Sequence, residues 1–301
     1  MIFENIHYDL IKMTSCYLCS QNTPLKDSHI IPKFVFKWLK ETGSGYLRGG
    51  VNFNIRIQDG PATKLLCAGC EQSFGNEETY FASRIFYPVV NDDAEAFVYD
   101  ERLSRFVVSV IWRLLKQDFV PSEEDPAYLK ILIEMEADYR AYLLGKKPLP
   151  DFNRIHLLCG VDVRAADDEE TALPLRFIHY FGRQVDAGVT GNDQHKFIYL
   201  KLPRMLFLVP IQGLPEASFV STGIEFCGGS YRLEDASILE PLITNYFYQR
   251  VAALDREMAN LSSKQKDKLA KMTNEKWEDV QQKDLGRILN YQQVVFNSRQ
   301  K

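Results

Sequence analysis

No stretch of this sequence approaches the roughly 18 consecutive apolar residues that a membrane-spanning helix needs, so no membrane span is expected. The opening MIFENIHYDLIK has no basic segment leading into an apolar one. A secretory signal is therefore not expected, and the chain reads as cytoplasmic. There is no internal repeat and no low-complexity tract. Neither sign of charge dominates: 36 Lys+Arg stand against 40 Asp+Glu, a net charge of −4, which excludes a uniformly basic nucleic-acid coat. Histidine is scarce, at 5 residues, and only His29 stands in a motif. His7, His156, His179 and His195 show no ligand spacing and read as surface or core residues. The hydrophobic share of 46% is enough for a globular core and argues against wholesale disorder.

Cysteine is sparse too, but it is patterned. Four of the 6 cysteines form two C-x-x-C pairs, Cys16/Cys19 and Cys67/Cys70. Cytosolic thiols stay reduced, so the pattern points to metal ligation before disulfides. Four thiolates supply the soft tetrahedral set that a structural Zn2+ prefers. The 47 residues between the pairs exceed the loop of a compact zinc ribbon, so a sizeable insert must loop out. The competing reading is two pairs of buried free thiols. Cys159 and Cys227 lie in strand-like runs and read as core residues.

The expected fold class is α+β. Residues 1–90 read as one module and 91–301 as an α+β domain of unassigned role. In the first, PKFVFKWLKETG has Pro32 at a helix start and Gly43 at its stop, a strand is expected around Val51–Ile57, and a helix follows Cys70. Residues 94–145 carry apolar residues at helix spacing, with Pro121 and Pro126 at the break. Over 151–235 the period changes to alternation: Ile155, Leu157, Cys159, Val161 and Val163, then Phe177, His179 and Phe181. KFIYLKLPRMLFLVPI, interrupted by Pro203, reads as two strands or an edge strand, and Asp167–Glu170 as a loop. An antiparallel sheet is expected there. Residues 236–301 return to helix, with a seam of Ile243, Phe247, Val251, Leu254, Met258 and Leu261 and a polar tail beyond Ser262. The seam fits a partner helix, a homodimer contact, or docking on its own domain.

The order C-x-x-C, then Ser28-His29-Ile30-Ile31-Pro32, then Leu66-Cys67-x-x-Cys70-Glu71 resembles the HNH (His-Me finger) endonucleases, in a variant of bacterial type. The resemblance covers about 75 residues. It implies a zinc-bound treble-clef, ββα-metal module in which His29 is the general base that activates water against a phosphodiester. A divalent ion, Mg2+ or Mn2+, would stabilise charge on the phosphate and leaving oxygen. The sequence departs from the family pattern at three places. Ser28 stands where an acid or imidazole precedes the base, Glu71 follows Cys70 directly, and Ala62 and Thr63 occupy the region of the middle Asn. Asp27 or Ser28 would complete the ion's shell, and Asp59 or Asn54 would substitute for the Asn if the loop returns either one.

Helix periodicity from Cys70 puts Glu71, Phe74, Glu78, Phe81 and Ile85 on one stripe and sends Glu77 to solvent. Carboxylates on a packed face need a partner, and a hard divalent cation is one. The expected catalytic set is His29, Glu71 and Glu78, with Glu71 and Glu78 on the ion. In the alternative reading Glu71 favours the helix N-terminus and His29 is a hydrogen-bonded core residue near the zinc knuckle.

The expected function is metal-dependent hydrolysis of nucleic acid, DNA ahead of RNA, by analogy with phage-defence and mobile-element nucleases. The alternatives are a zinc module that binds nucleic acid or protein without cleaving it, and a scaffold subunit acting through 241–301. Lys26, Lys33, Lys37, Lys40, Arg48 and Arg56 oppose only Asp27 and Glu41 and make a local basic patch, or else a solvated face. Phe34, Trp38 and Tyr46 beside them would stack on bases, but Phe34 and Trp38 read better as anchors of the short helix.

Overall fold

The computed structural model describes residues 15–48, 53–91, 94–117, 126–150, 154–159 and 175–290. His7, Pro121, Val161, Val163 and Asp167–Glu170, singled out above, lie outside the described residues, as does the start of the strand expected from Val51.

The chain runs from a knuckle at Cys16–Cys19 into β1 (Leu25–His29), α1 (Lys33–Glu41), β2 (Leu47–Arg48), β3 (Arg56–Ile57), β4 (Ala62–Cys67) and α2 (Ala68–Phe81). β1 pairs antiparallel with β4, and β2 with β3 in the insert between them. The β1–β4 register shifts between Lys26 and Asp27, where one extra residue enters β4. Such a bulge re-aims side chains, and Leu65, Leu66 and Cys67 are consecutively buried. Pro32 caps α1, whose buried Val35, Phe36, Trp38 and Leu39 form the face of a short amphipathic helix. Trp38 Nε1–H also donates to Asn91 Oδ1 at 2.7 Å. Trp38 thus anchors the helix, and Phe34 packs edge-on against Phe86.

A π-helical turn at Ala82–Phe86 continues α2 into α3 (Tyr87–Asn91). β5 (Ala96–Asp100), α4 (Glu101–Gln117) and α5 (Pro126–Leu143) follow. β5 corrects the all-helical expectation for 94–145. Phe97 and Tyr99 are buried while Ala96 and Val98 are exposed, the alternation of a strand. α4 is the centre of the molecule: Phe106, Val107, Val108, Val110, Ile111 and Trp112 are all buried, and Phe106 stacks on Phe81 of α2 at 3.9 Å. The main core cluster extends from Cys16 to Tyr231 and so joins residues on both sides of residue 90.

Next come β6 (Ile155–Cys159), α6 (Leu175–Arg183), β7 (Asp186–Gly191), β8 (Lys196–Leu202) and β9 (Met205–Gln212). Phe177 and Phe181 belong to helix α6, not to a strand. Ile178 and Tyr180 are buried as well, and i, i+1, i+3, i+4 burial is a helix period. Four short strands complete the region: β10 (Phe219–Val220), β11 (Gly223–Ile224), β12 (Gly228–Arg232), which pairs with β5, and β13 (Ser237–Ile238). Cys227, directly before β12, is exposed rather than in the core.

The five-stranded sheet has the antiparallel order β11-β6-β9-β8-β7. β8 and β9 are central strands joined by a two-residue turn. Pro203 takes its first position and Arg204 the left-handed one, at φ 58°. Both faces of β8 are covered, so all of Lys196–Leu202 is buried. Ile198, Leu200 and Leu202 face the main core, while Phe197 and Tyr199 face a second cluster under α6 and α7 (Pro241–Ala259). In α7, Ile243, Phe247 and Val251 are buried in that second cluster, so the N-terminal half of the seam docks on its own chain. The polar segment after Ser262 forms α8 (Ser263–Gln281). Among the described residues no helix is long and apolar enough to cross a membrane.

Candidate functional site

The four patterned cysteines converge. The β1–β4 pairing sets Leu25 opposite Cys67, which carries the first knuckle onto the start of α2. Cys67 caps that helix, and Cys70 lies in its first turn. All four Sγ atoms lie within 4.8 Å of one another, and Cys19 Sγ stands 3.8 Å from Cys67 Sγ. A tetrahedron with Zn–S bonds of 2.3 Å has an S···S edge of about 3.8 Å. The donor set, its size and its partial burial therefore fit a structural Zn2+. The electrostatics agree. The backbone N–H of Cys70 holds the Cys67 thiol down at about 7, while burial pushes the Cys19 and Cys70 thiols up. Four clustered thiols cannot all ionise without a cation between them. From α5, Arg140 Nε–H donates to Leu18 O at 2.6 Å and fixes the knuckle to the helical layer.

A second polar cluster adjoins the cysteines on the same hairpin and helix. Ser28 is fully buried, and its Oγ–H donates to Glu71 Oε2 at 2.7 Å, bridging β1 to the first turn of α2. His29 ends β1, and its Nε2 faces Asp59 Oδ2 at 3.4 Å. Asp59 also accepts from the Gly60 N–H, so its loop holds the carboxylate in place. Glu78, one helical stretch beyond Glu71, pairs with Arg113 of α4 at 2.8 Å. Burial raises the Glu78 carboxyl, and the Arg113 guanidinium works against that rise.

His29, Glu71 and Glu78 are thus brought into one neighbourhood, and Asp59 returns to His29 across the insert. Asn54 does not. It accepts from the Ser262 N–H at 3.0 Å and holds the start of α8. Asp27 turns outward to Lys64 at 2.9 Å. Ala62 and Thr63 lie directly across from His29 and Ser28. Glu77 is not solvated: it is 13% exposed and pairs with Arg105 at 3.1 Å, because α4 covers that flank of α2.

Sequence reasoning missed Arg113. Its only signal was an Arg set among the apolar positions of α4, between Trp112 and Leu114, and a buried Arg requires an acidic or carbonyl partner. Among the described residues the four cysteines are the one set of three or more His, Cys, Asp or Glu ligand atoms within 4.8 Å. The carboxylates of the second cluster therefore do not form an all-protein cage. They are compatible with an ion that keeps several of its own waters, the habit of Mg2+.

Comparison of the chain with protein-family models, with curated proteins and with solved structures finds no match. The functional reading rests on the residues themselves.

Of the basic patch, Arg56 stacks over Tyr46 at 3.9 Å and Arg48 donates to Phe53 O at 2.5 Å, so both are engaged within the insert. Lys26, Lys33 and Lys37 remain exposed. His156 is a core residue, buried beside Thr222 Oγ1 at 3.0 Å and stacked on Phe219. A cavity of about 440 Å³ opens between the insert, β7 and the C-terminal helices, and it includes none of His29, Glu71 and Glu78.

Proposed function

We propose that this chain is an HNH-like, metal-dependent endonuclease that hydrolyses phosphodiester bonds in nucleic acid, with DNA as the first substrate to test. One observation carries the reading: β1, β4 and α2 set His29 and Glu71 beside a four-thiol zinc site, with Ser28 hydrogen-bonded to Glu71 across strand and helix at 2.7 Å. In this reading the hairpin, knuckle and helix form a treble-clef ββα-metal module, and the remainder of the chain supports it and selects the target.

His29, 14% exposed, is open enough to meet a water molecule yet is held by Asp59. With Asp59 on Nε2, the other ring nitrogen, Nδ1, is the one left to take the proton of the attacking water. The water oxygen then bonds to phosphorus as the P–O bond to the leaving nucleoside breaks. Glu71 would hold the divalent ion, through the carboxylate oxygen that Ser28 leaves free. When bound, Mg2+ or Mn2+ supplies positive charge to the phosphate and the leaving oxygen. In this reading Lys33 and Lys37, both exposed on α1, would meet the backbone phosphates, Lys37 giving up its surface pairing with Glu41.

The test is cleavage of plasmid and single-stranded DNA with Mg2+ or Mn2+ by the wild-type chain, His29→Ala and Glu71→Ala, each checked for zinc content and folding. Loss of cleavage in both variants with zinc retained is the expected outcome. A zinc module that binds without cutting is the second reading. It is favoured by Ser28 standing where an acid is expected and by the engagement of Glu78 with Arg113. Salt-dependent DNA binding with no cleavage and no bound Mn2+ would select it.

A further inference from the structure

We propose that Arg113 is a positioning residue that braces His29, with Glu78 serving as the counter-charge of that brace; the inference rests on the endonuclease reading above. Arg113 comes from α4, 84 residues beyond His29 in sequence, and reaches back to the end of β1. Its Nη1 donates to the His29 carbonyl oxygen at 2.6 Å and meets Glu78 Oε1 at 2.8 Å. Nε–H donates to Ser109 O at 3.2 Å and Nη2 to Ser109 Oγ at 3.4 Å, while the guanidinium lies over the Phe74 ring at 5.3 Å. The side chain is 1% exposed. A planar guanidinium that is always charged and held on several sides has one available geometry. It therefore fixes the main chain from which the imidazole projects.

That placement has a chemical consequence. The stretch after His29 leaves the sheet through Ile30, Ile31 and Pro32 into α1, so on this side the β1–β4 pairing ends at His29 with one further backbone bond, from Ile30 N–H to Pro61 O at 3.1 Å. Arg113 ties this last rung to α4, the most buried helix. General-base catalysis needs the ring nitrogen within hydrogen-bond reach of the attacking water, and a displacement of about 1 Å can cost on the order of a hundredfold. Arg113 touches no reacting atom in this scheme. It acts through His29.

The test compares the full zinc-loaded chain with the double variant Arg113→Met/Glu78→Met and with Arg113→Lys. Removing both members of a buried ion pair in favour of apolar side chains is tolerated far better than removing one. The double variant is expected to keep zinc and a cooperative unfolding transition, to lose at least tenfold in kcat on plasmid DNA, and to hold KM within about twofold. Arg113→Lys, which keeps the charge and part of the donor set, is expected to fall between them. A merely structural role would lower the unfolding midpoint and leave kcat of the folded protein alone. Wild-type kcat in the folded double variant, or in Arg113→Lys should the double variant not fold, overturns the proposal. If the wild-type chain cuts nothing, the endonuclease reading fails by itself. The brace is then read from the rate at which diethyl pyrocarbonate modifies His29, followed by peptide mass. A rate several-fold faster in the variants supports it, and an unchanged rate overturns it.

Discussion

Ser28 and Glu71, 43 residues apart in sequence, meet through a 2.7 Å hydrogen bond that ties the inner face of β1 to the first turn of α2. Ser28 is fully buried and its hydroxyl takes up one oxygen of the partly exposed Glu71 carboxylate. Ser28→Ala is expected to cost about 0.5–1.5 kcal/mol, the usual net contribution of an intramolecular hydrogen bond, because water can reach the partly exposed Glu71 carboxylate. Urea unfolding at neutral pH measures it. Zinc content should not change, because no cysteine contact involves Ser28; zinc loss on this substitution would show that the two clusters form one unit.

Metal analysis of the purified chain is expected to give one zinc per molecule. Cys67→Ser removes one thiolate while leaving a residue well suited to the helix N-cap, and is expected to abolish stoichiometric zinc and lower the melting temperature by many degrees, since structural zinc contributes folding energy directly. Cys159→Ser and Cys227→Ser should retain full zinc. Wild-type protein that holds no zinc, and whose four thiols react freely with a disulfide reagent at the same rate as Cys227, would instead identify two pairs of free thiols.

Asp284 joins the C-terminal segment to the body of the protein. It is 2% exposed and accepts from Arg183 Nη1 at 2.5 Å and from Arg204 Nη2 at 2.6 Å. Burial holds the Arg183 guanidinium down, and Asp284 opposes that shift. Asp284→Ala leaves both cations without this carboxylate, and a loss of roughly 3–5 kcal/mol is expected. Equilibrium denaturation checks it, and a change below about 1 kcal/mol would mean that Arg204 and Arg183 find substitutes.

The pH dependence of stability should carry a signature of His156. Burial lowers its pKa below the ordinary value, and Glu216 only partly opposes that. The folded state therefore binds the proton less readily than the unfolded chain. The associated stability is complete above the unfolded pKa of about 6.5 and is lost as the pH falls below it toward the folded value. The urea midpoint of the wild-type protein should drop between pH 7.5 and 5.5 more steeply than that of His156→Asn. Parallel curves for the two proteins would refute the assignment.

The cysteine spacing and the stripe Glu71–Phe74–Glu78–Phe81 could be read without coordinates because both depend on local geometry. A C-x-x-C turn presents two thiols whatever surrounds it, and residues three and four apart on a helix share a face. The same local rule failed for Phe177 and Phe181, where two buried positions at i and i+4 satisfy a strand and a helix equally. Tyr180, 1% exposed, decides for the helix, and its burial depends on the distant α7. Glu77 failed for a related reason. Its side of α2 is polar in sequence, yet α4 supplies Arg105 to meet it.

Composition and spacing were enough for the α+β class and the four-thiol group, since each follows from short-range sterics and ligand chemistry, and they left two strands or an edge strand open around Pro203. Long-range packing settled the rest. It set Asp59 against His29, turned Asn54 toward α8, and brought Arg113 from a separate helix between His29 and Glu78. A buried charge is placed by the partners that satisfy it. Those partners lie tens of residues away, where no local period or motif records them.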